Sequence, residues 1–215
     1  MNKKFKIRCS QIGQIMSNAK TKGDLSAGCK TYLENWYAND KEEIHSKYFD
    51  KGKMVENECI DLMASVLNKG MACKNDEYLE DEHFTGTCDV QLDDCIVDVK
   101  SVWGRKGLHA ACNGLDKDYE FQLRGYMHLY RKPNSILFYG LLDTPEECNY
   151  GNEVIYSDMP TDERWVAYSV ESDSEVIQSI IDKVVKCREY LQEYDLKIKS
   201  KLGKINNEKQ KQDEH

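Results

Sequence analysis

The sequence has few prolines, 3 in 215 residues, and it contains no internal repeat, no C-x-x-C pair and no long hydrophobic run. So little proline excludes a proline-rich spacer, and 13 glycines without a period exclude a collagen-like chain. The longest uncharged apolar stretch, Ile136 to Leu142, falls far short of the ~20 residues that a membrane-spanning helix needs. The basic residues at the start are followed by no apolar segment, so no signal peptide is expected, and a cytoplasmic location is. Nine cysteines, from Cys9 to Cys187, lack the paired short spacings of zinc ribbons and many iron–sulfur sites. They are expected to be reduced, several of them as core residues.

What is present suits a folded α/β protein. Hydrophobic residues make up 40% of the chain and include 13 tyrosines, while 32% is charged. The length predicts one domain over residues 1–200, with N-terminal helices to 70 and a sheet with helices beyond. The nearly all-polar stretch 201–215 is expected to be a disordered tail. The net charge of -8 hides a division. From Asn75 to Asp98 there are nine acids and no Lys or Arg, and from Val99 to Lys132 there are seven Lys or Arg against three acids. Acids can hold a divalent cation and a neighbouring basic stretch can hold phosphates, although two unrelated solvated surfaces would give the same pattern.

Hydrophobic spacing predicts a short helix capped by Ser10, a polar loop from Asn18 to Gly28, and a helix through Cys29, Leu33 and Trp36. A third helix is expected over Gly52 to Asn68, ended by Asn68-Lys69-Gly70. Strands are expected at Tyr78–Glu82, His83–Gln91 and Cys95–Trp103, the last two joined by a turn at Leu92-Asp93-Asp94. Gly104 to Lys117 reads as a loop, Tyr119 to Tyr130 as a helix, and Ser135–Leu142 and Arg164–Val170 as strands around a polar loop. Ser172-x-x-Glu175 is a capping box that opens a long final helix. This order predicts a mixed sheet covered by helices.

Four segments could carry chemistry: Gly52-x-x-x-Glu56, Gly86-Thr-Cys-Asp89, Asp98-Val-Lys100, and Gln122 with Tyr126 one turn later. Asp98 and Lys100 project to one face of a strand, and Asp89 can reach that face across the hairpin. Two carboxylates converging there are hard oxygen ligands suited to Mg²⁺ or Mn²⁺, and a lysine beside them can orient or deprotonate water. Each segment alone is equally well explained by ordinary solvated charges or helix chemistry.

In this order, the four segments resemble the PD-(D/E)XK nuclease superfamily, and most closely its lambda-type phage exonuclease and YqaJ-like recombinase branch. The resemblance runs from Ile7 to Asp143. It implies a restriction-endonuclease-like core and a Mg²⁺-dependent deoxyribonuclease acting from the ends of double-stranded DNA in recombination. Asp89, Asp98, the Val99 carbonyl and Glu56 would hold the metal, Lys100 would position water, and Gln122 would orient its neighbours. Ser10, Arg8, Arg105, Lys106, Arg124 and Tyr126 would contact DNA, with Lys3, Arg131 and Lys132 as further candidates. A homotrimer and a single-strand annealing partner belong to the same expectation, as does the cytoplasm of a bacterial host. Cys88 stands where the superfamily has its proline, and Asp98 where the branch usually has glutamate. An endonuclease or repair nuclease of the same fold, or an inactive DNA-binding module, are the competing functions.

Overall fold

The computed structural model describes residues 4–21, 23–39 and 46–203. Lys3 and residues 204–215 of the expected tail lie outside these residues, while Lys201, where that tail is expected to begin, is still helical. The chain opens with β1 (Ile7–Arg8), a 3-10 turn (Cys9–Gln11) and α1 (Ile12–Met16). Ser10 lies inside that turn and does not cap α1, which follows without a side-chain cap. Ser26 instead caps α2 (Ala27–Ala38), accepting the Cys29 amide at 3.1 Å, an interaction worth about 1 kcal/mol.

The single helix expected from Gly52 is two: α3 (Lys47–Met54) and α4 (Glu56–Val66). Val55 breaks them, at φ -104° and ψ 16°. Gly52 therefore lies inside α3, and Glu56 opens α4, where a carboxylate is favoured by the helix dipole. The break lets α3 bury Lys51 while α4 buries Cys59, Ile60 and Met63.

Two sheets follow. The smaller has the order β1-β3-β2, with β2 (Leu79–Glu80) antiparallel and β1 parallel to β3 (Phe84–Gly86). The larger has the order β4-β5-β6-β7, from β4 (Val90–Gln91), β5 (Cys95–Ser101), β6 (Asn134–Gly140) and β7 (Trp165–Glu171). The expected strand His83–Gln91 thus divides between two sheets. The chain leaves the first at Thr87, and Asn75 takes the freed Cys88 carbonyl at 3.0 Å. Parallel pairing of β5 with β6 requires a crossover, formed by α5 (Arg105–Ala111) and α6 (Lys117–Tyr130). The expected loop before α6 therefore contains a helix. It buries only Leu108, too weak an apolar stripe to be read as a period. After β7 comes α7 (Ser174–Lys201), capped by Asp173 rather than Ser172: its carboxylate accepts the Glu175 and Val176 amides at 2.9 and 3.1 Å.

The pleat of β5 sorts its side chains. Val97 and Val99 face α4, in a cluster with Val55, Cys59, Met63 and Phe138. Ile96 packs on the opposite side with Leu123 of α6, Ile12 of α1 and the α7 stripe of Ile180, Val184 and Leu191. Asp98 and Lys100 share the parity of Ile96, which directs them toward α6. None of the nine cysteines is in a disulfide, and Cys9, Cys29, Cys59, Cys88 and Cys187 are core residues. No helix among the described residues is long and apolar enough to cross a membrane.

Candidate active site

Asp89, Asp98, Lys100 and Gln122 meet where β4 ends. Val90 pairs with Val97, so continuing the antiparallel register by one residue sets Asp89 opposite Asp98. Because β4 stops there, the Val99 amide is free to donate to Asp89 Oδ2 at 2.8 Å. Asp98 is 1% exposed. Its Oδ1 accepts the Gln122 amide at 2.5 Å, and its Oδ2 is ion-paired with the Lys100 ammonium. Lys100 also lies 5.4 Å from the centre of the Tyr119 ring. The motif order thus corresponds to real proximity for these four residues.

Charge is not balanced within the cluster. Asp89 has its pKa pushed up to about 7, first by burial and then by the field of Asp98. Burial alone would lower Lys100, but Asp98 and then Asp89 hold it above the usual lysine range. A carboxylate that resists ionisation beside another carboxylate is a site that a cation would relieve. The donors are hard oxygens, of the kind that Mg²⁺ and Mn²⁺ take. Among the described residues no three His, Cys, Asp or Glu side chains form a metal-holding group by themselves. An ion here would therefore rest on Asp89 and Asp98, supplemented by the Val99 carbonyl and water. The residues fit a divalent ion of this type.

Glu56 approaches from the start of α4 and contributes to the field at Asp89, but its carboxylate is ion-paired with Lys74. Sequence reasoning missed Lys74. Its signal was position, as a cation directly before the long acidic stretch. It also missed Lys51, which is 1% exposed and donates to the carbonyls of Val102, Trp103 and Leu142 at 3.0, 3.2 and 2.8 Å and to Thr144 Oγ1 at 2.8 Å. Lys51 precedes Val55 and Cys59 at four-residue intervals, so a lysine on an otherwise apolar stripe was the available sign.

The expected DNA contacts divide into three groups. Arg8, Ser10 and Tyr126 line one cavity of about 1350 Å³, together with Lys4, Lys6, Tyr32, Trp36, Thr85, Gly86 and Thr87. Gly86 is required there, because a Cβ on it would come within 2.8 Å of the Tyr126 ring. Tyr126 stands one turn after Gln122 on α6. Burial and then the field of Asp98 raise its pKa, so the cavity wall adjoins the carboxylates. Arg105 and Lys106 are exposed at the start of α5, away from that cavity's lining. Arg124 is engaged within the fold: its guanidinium is held by Glu120 at 2.8 and 3.1 Å and by the Glu171 carbonyl at 2.9 Å, a tie between α6 and β7. Lys132 donates to the Asp93 carbonyl at 3.0 Å, and Arg131 ends α6 in a left-handed conformation at φ 52°.

No family model and no curated protein sequence matches the chain. Solved structures do. A phage related exonuclease from Haemophilus somnus 129PT is 24% identical with a TM-score of 0.81, over 91% of this chain and 97% of that one. An alkaline exonuclease, LHK-Exo, from Laribacter hongkongensis is 14% identical with a TM-score of 0.67, over 91% and 92%. LHK-Exo in complex with dAMP gives a TM-score of 0.62 at 14% identity, over 91% and 90%. The neighbours are described as exonucleases, and the likeness establishes a mixed α/β, restriction-endonuclease-like fold for this chain.

Proposed function

We propose that this protein is a metal-dependent deoxyribonuclease of the phage exonuclease type, acting from the ends of double-stranded DNA. The observation that carries the reading is the joining of Asp89, Asp98, Lys100 and Gln122 beside a large cavity whose lining includes Lys4, Lys6, Arg8 and Lys199 together with Glu80 and Asp195. Three solved structures of two proteins described as exonucleases support it, one of them holding dAMP.

Asp89, Asp98 and the Val99 carbonyl would hold Mg²⁺ or Mn²⁺, with Glu56 as a further ligand. A bound ion of this kind supplies an acidified water and neutralises charge building on a phosphodiester. The protein groups do the positioning. Gln122 fixes the plane of the Asp98 carboxylate. Lys100 stays protonated because two carboxylates face it, so it acts as a hydrogen-bond donor to the attacking water and the phosphate. Arg8 and Ser10 offer donors to the phosphates of a strand end, joined by Lys4 and Lys6 when they exchange Glu82 and Glu80 for phosphate, and Tyr32 and Trp36 give that strand aromatic surfaces. At about 1350 Å³ the cavity exceeds the roughly 300–1,000 Å³ of small-molecule pockets, as a polymer end requires.

The test is digestion of an end-labelled linear duplex and a matched closed circle, with Mg²⁺ and with EDTA. Loss of the linear DNA alone, abolished by EDTA, is the expected result. Cleavage of the circle would establish an endonuclease instead. Cleavage of neither, with Mn²⁺ also supplied, would leave a DNA-binding module.

A further inference from the structure

Lys74 has no part in the mechanism above, yet its place is fixed by the site on two sides. Its backbone bridges Val90, and the next amide, Asn75, donates to the Asp89 carbonyl at 2.7 Å. Its ammonium is ion-paired with Glu56, and Asp76 and Asp89 add to the field that raises its pKa after that bond. The cluster therefore has three carboxylates, Glu56, Asp89 and Asp98, against two ammonium groups, Lys74 and Lys100. A divalent ion added to this set would turn one excess negative charge into one excess positive charge. One lysine must then give way. Lys100 is held between Asp98 and the Tyr119 ring, and its side chain is 29% exposed. The Lys74 side chain is 43% exposed and its ion pair is with Glu56.

We propose that Lys74 is a positioning residue that occupies Glu56 in the metal-free protein and competes with the divalent ion for that carboxylate. Loading the site releases the ammonium toward solvent. The inference rests on the metal-dependent reading of the same site, and the two fail differently.

The test is calorimetric titration of the full-length protein with Mn²⁺ in the absence of DNA, for wild type, Lys74→Met, Lys74→Gln and Asp98→Asn. A half-exposed ion pair corresponds to a change of about two- to fivefold, so both Lys74 variants should bind Mn²⁺ more tightly by that factor. A residue that only supports the fold would leave affinity unchanged or weaken it. Unchanged or weaker binding in both variants, with binding lost in Asp98→Asn, would overturn the competition while leaving the metal site standing. Binding in Asp98→Asn equal to wild type, or no binding by any of the four proteins, would overturn the metal reading itself.

Discussion

Two lysines flank the end of β5, Lys51 buried and Lys100 partly buried, and their surroundings differ in kind. Lys51 is held by three carbonyls and a hydroxyl, all uncharged, and burial lowers its pKa to about 8. Lys100 faces Asp98 and Asp89, and its pKa is raised despite its burial. The first ammonium is satisfied by oxygens that gather α3, the end of β5 and the loop after β6. The second belongs to a cluster whose charges do not cancel. Neutral acceptors make a lysine a structural tie; carboxylates in excess place the other within the proposed cation site.

The largest effect should come from Lys100→Ala, which should slow cleavage of linear duplex by at least about 100-fold, measured as the initial rate per folded molecule. Lys51→Met should do the reverse. It removes the donor from four buried or partly buried oxygens and should cost about 2–4 kcal/mol in urea unfolding, with turnover per folded molecule within about threefold of wild type. A comparable loss of turnover in the two variants would erase the distinction.

Asp89 sharpens it through pH. Its pKa rises from 3.8 to about 7 on folding. Between about pH 4 and pH 7 the folded protein keeps a proton that the unfolded chain has lost, so metal-free stability falls as pH rises through that window. Asp89→Asn should remove the slope: melting temperatures should match wild type near pH 4 and exceed it at pH 8. The smallest effect should be Thr144→Val, which deletes one of the four Lys51 acceptors. A loss of about 1 kcal/mol by the same unfolding measurement is expected, with cleavage unaltered.

The site was largely legible because its members lie on regular elements. The D-x-K spacing put Asp98 and Lys100 on one strand face, and the turn after Leu92 fixed the register that brings Asp89 across. Gln122 followed from a helix whose period is clear. What was illegible depends on contacts distant in sequence. Gly52-x-x-x-Glu56 reads as one helix because the break at Val55 has no proline or glycine at the junction to announce it. Arg124 counts as a free cation until α6 lies against the end of β7. Lys74 and Lys51 find partners 18 and 51 to 93 residues away, a separation over which no local pattern operates.

Arg188, near the middle of α7, donates to the Phe5 carbonyl at 2.9 Å and to the Glu82 carbonyl at 2.6 Å. The segment that carries Arg8 and Ser10 is thus fastened by one of the last residues of the fold to be synthesised. A growing chain can form the β4–β5 hairpin early, but the cavity beside it must wait until α7 has left the ribosome and docked. Synthesis itself delays assembly of the complete site, so a nascent chain keeps this wall unfinished until the final helix has emerged and docked.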